Sequence, residues 1–196
     1  AEKFSLDVIK SLNLSSKSLV VEIASNDGYL LKNMKNKGIP HIGIEPTKST
    51  ADIAKSRGIE TIEEFFTLAV AEQLLSQDNR LRNGADLIIA NNVLAHVPNI
   101  NDFMLGMKRL LNRNGIISIE FPHLFNLIQK NQFDTIYHEH YSYLSLNFLI
   151  RIATKFNLEV IDVEELKTHG GSLRVWLSHK DKFLISESVI KLKLKE

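Results

Sequence analysis

Cysteine is absent from the 196 residues, which excludes disulfides, thiolate chemistry and any cysteine-based zinc site within the chain. An excess of charge of one sign is also missing: 24 Lys and Arg stand against 23 Asp and Glu, a formal net charge of +1. Nucleic acid and acidic membrane surfaces therefore have no electrostatic claim as partners. No apolar run approaches the roughly 20 residues that a membrane-spanning helix needs. The opening AEKFSLDVIK is amphipathic and contains acids, unlike a secretory signal peptide. Nor is there an internal repeat. What remains is a composition of 44% hydrophobic and 24% charged residues, that of a globular domain of ordinary size with a cytoplasmic address.

Short apolar runs alternate with amphipathic ones, the pattern of a mostly parallel sheet with helices on both faces. A leading helix is expected within residues 1–15. Leu19 to Ile23 reads as the first strand, followed by a loop from Ala24 to Gly28 and a helix to about Lys37, stopped by Gly38. His41 to Ile44 is a second strand and Lys48 to Arg57 a helix ended by Gly58. A short strand lies around Glu60 to Ile62, with a helix from Leu68 to Ser76 and a surface loop from Gln77 to Gly84. Asp86 to Ala90 is a strand buried on both faces. Ile100 to Asn112 has helical spacing, and Asn114-Gly115 turns the chain into a fifth strand, Ile116 to Phe121. Ser145 caps a helix, and Leu158 to Glu165 and Ser172 to Ser178 are strands with no room between them for a crossover helix. They must pair antiparallel. A seven-stranded, mostly parallel sheet closed by an antiparallel C-terminal hairpin is the layout of the class I methyltransferase (Rossmann-like) fold. It occupies residues 1–180, and 181–196 reads as a tail, a solvated helix or frayed end.

In such sheets ligands bind beyond the carboxyl ends of the strands. The loop after the first strand reads Glu22-Ile23-Ala24-Ser25-Asn26-Asp27-Gly28. Ala24 and Asn26 stand where a dinucleotide fingerprint has glycine, which lowers the case for a nicotinamide cofactor. An acid-flanked loop suits the cationic sulfonium and amino group of S-adenosylmethionine; the alternative is a plain Asn-Asp-Gly turn. Glu45, at the tip of the second strand beside Pro46, can accept both hydrogen bonds of a ribose diol, or else is a surface glutamate. Phe65 or Phe66 can cover an adenine, one of the two being core, and Asn91 and Asn92 end the fourth strand.

The segment Gln132 to Tyr143 concentrates titratable groups: Tyr137, His138, Glu139, His140 and Tyr141. If extended, it places Tyr137, Glu139 and Tyr141 on one side and the two histidines on the other. Such a run can supply a general base with hydrogen-bond donors. The rivals are a His-Glu-His metal site, although the two-residue spacing departs from helical zinc motifs, and a polar loop packed on the sheet. His96 and His123 follow the fourth and fifth strands.

The segments EIASNDGYLL, ANNVLAHVPNINDF, IEFPHLFNLIQKNQFDTIYHEHYSYLS and DVEELKTHGGSLRVW, within about residues 20 to 177, closely resemble the C-methyltransferases that act on nucleotide-linked 4-keto-deoxysugars. The resemblance implies transfer of a methyl group from S-adenosylmethionine, leaving S-adenosylhomocysteine, to a carbon beside the C4 ketone. It makes His140 the base, with Tyr137, Glu139 and His96 in proton transfer, positioning or enolate stabilisation. Glu22, Ala24, Asn26, Asp27, Gly28, Glu45, Pro46, Phe65, Asn91 and Asn92 are the cofactor candidates, and no metal is implied. His123, His138 and His169 carry less weight. Family members also have an N-terminal cysteine-rich zinc module, which this sequence lacks, and a C-terminal domain. The competing readings are an O- or N-methyltransferase of another small molecule, or a non-catalytic S-adenosylmethionine-binding domain. The expected partner is a small-molecule nucleotide sugar, with no nucleic acid, no membrane and the oligomeric state left open.

Overall fold

The computed structural model describes the backbone of residues 1–196 and every side chain except that of His169. In chain order the elements are α1 (Glu2–Ser11), β1 (Val20–Ile23), α2 (Leu31–Asn36), β2 (His41–Ile44), α3 (Lys48–Ser56), β3 (Thr61–Ile62), α4 (Leu68–Gln77), β4 (Ala85–Asn91), α5 (Ile100–Leu110), β5 (Leu111–Pro122), α6 (Leu124–Gln129), α7 (Leu146–Lys155), β6 (Leu158–Leu166), β7 (Ser172–His179) and α8 (Glu187–Lys195).

The strands form a seven-stranded sheet of order β3-β2-β1-β4-β5-β7-β6. β1 to β5 are mutually parallel, and β7 runs antiparallel to both β5 and β6. This is the mixed sheet anticipated from the sequence, with the last strand inserted between the fifth and sixth. Strands buried on both faces read as unbroken apolar runs for that reason. On one face Phe4, Val8, Leu31, Met34 and Ala54 pack over Val20, Leu87 and Ile89. On the other, Phe103, Met107, Leu149, Ile152 and Val189 cover Val21, Ile88, Ile119 and Val175.

Side-chain caps set several helix starts. Thr67, Asn99 and Ser145 accept from the backbone N–H groups of Val70, Asp102 and Phe148, each satisfying a donor that the first turn leaves free. No helix among the described residues is long and apolar enough to cross a membrane.

Three elements differ from the sequence reading. α5 ends at Leu110 rather than Asn112, because Leu111 already pairs with Ala85 at an irregular start of β5. Asn112 there donates its side-chain amide to Asp86 (2.5 Å), whose other oxygen takes the Leu19 N–H (2.7 Å). The second difference is α6, a six-residue helix where the sequence reading had assigned no element. The third is the tail. It is helical, as one of its readings had it, but it is docked rather than solvated: α8 lies against β6 and α7 with Val189 and Leu192 buried. The period of Val189 and Leu192 is a helix face, masked in the sequence by interleaved lysines.

Docking of α8 predicts a contrast along one helix. Leu192 is 5% exposed and Leu194 is 83% exposed. Leu192→Ala should cost about 2–3 kcal/mol in urea melts, whereas Leu194→Ala should stay within about 0.5 kcal/mol. Equal, small effects would mean that α8 does not pack as described.

Candidate active site

The sheet order reverses between β1 and β4, and a cavity of about 650 Å³ opens at their carboxyl ends. Its floor is the loop after β1. There the backbone keeps the conformation of the missing glycines: Ala24, Asn26 and Gly28 have φ of +57°, +51° and +74°. Asparagine visits this left-handed region readily, whereas alanine holds it at a cost of about 1–2 kcal/mol. A Cβ on Gly28 would lie 2.8 Å from Ile59 Cγ1, so that position also excludes larger residues.

Glu45 ties this loop to the tip of β2. Its buried carboxylate accepts from the N–H groups of Asn26 (3.1 Å) and Thr47 (2.9 Å). Each oxygen keeps a further lone pair for a ligand. Pro46, Ile44, Phe65, Phe66, Val93 and Phe103 form apolar walls. The two phenylalanines divide as the sequence suggested: Phe66 is 8% exposed and packs edge-on against Phe103 at 5.3 Å, while Phe65 is 76% exposed at the rim.

Ala24, Glu45, Pro46, Phe65 and Asn92 of the cofactor candidates line this cavity; Glu22, Asn26, Asp27, Gly28 and Asn91 do not. Asp27 turns away to Arg57 (2.5 Å) and to the Tyr29 N–H (3.2 Å). Glu22 is buried beneath the loop, with Oε2 lacking a partner among the described residues. Burial pushes its carboxyl well above the usual range, and the nearby Asp27 charge adds to the shift. Asn91 and Asn92 likewise have buried carboxamide oxygens without partners.

A second cavity, of about 380 Å³, is lined by Asn92, Ala95, His96, Pro122, Gln132, Asp134, Thr135, Tyr137, His140 and Gly170. Asn92 and His96 belong to both cavities. The Tyr137–Tyr141 run stands between them but is not extended. A turn from the Tyr137 carbonyl to the His140 N–H (3.1 Å) folds it back, and the N–H groups of Tyr141 and Ser142 anchor it to the Ala95 carbonyl (2.9 and 3.2 Å). The expected alternation is therefore overturned. Tyr137 and His140 face the second cavity together, whereas His138, Glu139 and Tyr141 line the first.

Backbone carbonyls set the histidine tautomers, since a carbonyl only accepts. His140 Nδ1 lies 2.8 Å from the Thr135 carbonyl and must carry a hydrogen. In the neutral ring Nε2 then holds the lone pair, and Tyr137 Oη donates to it at 3.0 Å. His96 Nδ1 donates in the same way to the Glu139 carbonyl at 2.9 Å, and the two imidazoles lie 4.9 Å apart. Both rings thus present a basic Nε2.

Among the described residues no group of three or more His, Asp or Glu side chains could hold a metal ion. His123 is fully buried and bonds Glu196 outside both cavities, and the side chain of His169 lies outside the described residues. Gln132, Asp134, Thr135 and Gly170 were not foreseen as site residues. The Gly170-Gly171 pair carried the available signal. Gly170 has φ of +76°, its carbonyl accepts from Lys130 and Gln132, and a Cβ there would strike the Gln132 amide. The Thr135 role is a carbonyl, which residue type does not encode.

The family described as "Methyltransferase domain" matches residues 5–163. The C-methyltransferase NovU of Streptomyces niveus is 36% identical over 168 residues, which are 86% of this chain and 39% of that protein. The chain thus spans about two fifths of this relative's length. Among solved structures, an S-adenosylmethionine-dependent methyltransferase from Clostridium acetobutylicum superposes with a TM-score of 0.67 at 11% identity, covering 91% of this chain and 90% of that one. The magnesium protoporphyrin IX methyltransferase of Synechocystis, solved with bound SAH, gives 0.67 at 13% identity, covering 91% and 81%. These two establish the fold.

The raised Glu22 carboxyl has a consequence for stability. Folded protein retains a proton there that unfolded chain releases, so this group's contribution falls as pH rises from the ordinary carboxylate range toward the raised folded value. Glu22→Gln removes the loss. Its stability relative to wild type in urea melts should increase as pH is raised from about 4 to 8, and a difference independent of pH would refute the assignment.

Proposed function

The chain belongs to the methyltransferase-domain family, and on that premise we propose that it transfers a methyl group from S-adenosylmethionine to a carbon beside the ketone of a nucleotide-linked 4-keto-deoxysugar. The observation that carries this reading is the meeting of two cavities at Asn92 and His96, with the Tyr137–His140 pair in the second.

The residues of the first cavity fit the cofactor. Glu45 at the tip of β2 can hold a ribose diol, and Phe65, Pro46 and Val93 can enclose a purine. Of the residues with unpartnered oxygens at this edge, Asn92 lines the cavity and offers an acceptor, while Glu22 and Asn91 lie outside its lining. Buried acceptors left without donors cost about 1–3 kcal/mol each, and an ammonium group offers donors to such oxygens. When bound, S-adenosylmethionine supplies an electrophilic methyl group on sulfonium and leaves as S-adenosylhomocysteine.

The remaining chemistry belongs to the second cavity. Removal of a proton next to a ketone requires a base of near-neutral pKa and a donor for the developing enolate oxygen. His140 Nε2 is that base, reached through the Tyr137 hydroxyl that rests on it: Tyr137 passes its proton to His140 as it takes the substrate's. The Thr135 carbonyl steadies the resulting imidazolium through Nδ1–H. Asn92, on the wall shared by the cavities, is placed to donate its amide to the enolate oxygen. His96 and Glu139 complete the partition, the glutamate carbonyl holding the imidazole in place. The 36% identity to a protein named a C-methyltransferase supports carbon as the acceptor.

Calorimetric titration with S-adenosylmethionine should show binding to this chain, and none at millimolar ligand would count against the reading. His140→Asn should lower deuterium exchange beside the ketone, and methyl transfer, by about 10²–10⁴-fold. Cofactor affinity should stay within about twofold, because His140 does not line the first cavity. Undiminished exchange would remove His140 as the base.

A further inference from the structure

The insertion between β5 and α7, residues 123–145, carries Tyr137 and His140, yet residues 136–139 are all exposed. Few packing contacts fix such a segment; beyond its anchors on Ala95, His96 and Gly170, its geometry depends on how its stems are held. The stems meet once: His123 bridges to Leu144, and the Leu124 N–H donates to the Leu144 carbonyl at 2.9 Å.

Beneath that junction sits a carboxylate from the far end of the sequence. Glu196 Oε1 accepts from His123 Nε2 (2.6 Å) and from the Leu146 N–H (2.7 Å), and Oε2 accepts from the Asn147 N–H (2.8 Å). His123 belongs to the entry stem, and Leu146 and Asn147 are the first turn of α7, directly after the exit stem. The His123 side chain is 0% exposed and that of Glu196 4%. Asn126 lies on the other ring nitrogen of His123 at 3.4 Å, consistent with Nε2–H as donor to Glu196. Burial works against charge on Glu196, but the amides of Asn147 and Leu146 and the His123 ring together hold its carboxyl below the ordinary value. An anion at a helix N-terminus also meets the favourable end of the helix dipole.

We propose that Glu196 is a positioning residue: it clamps both stems of the insertion, through His123 and the N-terminus of α7, and so keeps Tyr137 and His140 aligned. The proposal rests on the insertion being the proton-handling element, but its primary readout is mobility, which needs no turnover. The two readings can therefore fail separately.

Hydrogen–deuterium exchange of Glu196→Gln is the test. Exchange across residues 124–144 should rise about tenfold, the size of one charge-assisted hydrogen bond, while β1 and β4 keep wild-type protection. Nitrogen NMR should show His140 Nε2 losing its Tyr137 hydrogen bond, a change that general destabilisation of a still-folded protein does not produce. S-adenosylmethionine affinity should remain within about twofold, and deuterium exchange beside a ketone should fall about tenfold. His123→Asn frees the entry stem but leaves α7 capped, and should loosen the insertion less. If Glu196→Gln does not fold, His123→Asn decides the same question. Unchanged exchange in the insertion, or a rise shared equally by β4, would overturn the proposal.

Discussion

The parallel pairing of β1 with β4 fixes where every functional group lies. Its register sets Glu22 opposite Ile89, so the loops after both strands emerge side by side while β2 and β5 flank them. Loops at the carboxyl edge of a rigid sheet can carry costly conformations because the apolar core below supplies the stability. The left-handed Ala24 and the orphaned oxygens of Glu22, Asn91 and Asn92 all sit at this edge. Glu45 then links the β1 loop to the tip of β2, accepting from the Asn26 amide on one side and the Thr47 amide on the other.

The wall between the cavities is made differently. It is a short turn with little burial, held to the sheet by the Ala95 carbonyl and by the Glu139 carbonyl on His96. Hydrogen bonds here do more than hold position. By occupying Nδ1 on both imidazoles, the carbonyls of Thr135 and Glu139 leave the basic nitrogen on the opposite edge of each ring. Tautomer choice and the separation of the cavities follow from one short segment.

Much of the scaffold was legible because buried parallel strands have few alternatives. The runs around Val20–Ile23 and Ala85–Asn91 are too short and too apolar for surface helices, and the missing crossover before Ser172 forced antiparallel pairing. Glu45 was legible because a strand end determines where its tip must lie. The fold of the Tyr137–Tyr141 run was not. Period-two alternation holds only in extended chain, and the His140-to-Tyr137 hydrogen bond reverses it. The partners of His96 and His140 are carbonyls, which leave no trace in residue type. The docking of α8 was hidden because Lys191, Lys193 and Lys195, interleaved with its apolar residues, make the helix look solvated along its length.

Unsatisfied polar groups are concentrated, though not confined, near the site. Buried polar atoms normally find partners, and each exception has a cause. Among the described residues the unpartnered oxygens of Glu22, Ser25, Asn91, Asn92 and Gln132 lie near the carboxyl ends of strands or in the insertion above them, while Ser5, Ser118 and Arg174 carry unpartnered polar atoms elsewhere. At the opposite edge, comparable groups are satisfied: Asp86 takes both the Leu19 amide and the Asn112 side chain. Equivalent strand-end chemistry is thus closed at one edge of the sheet and left open at the other. The open edge is where a ligand rich in donors completes the hydrogen bonding, and the second cavity lies directly across Asn92 and His96 from it.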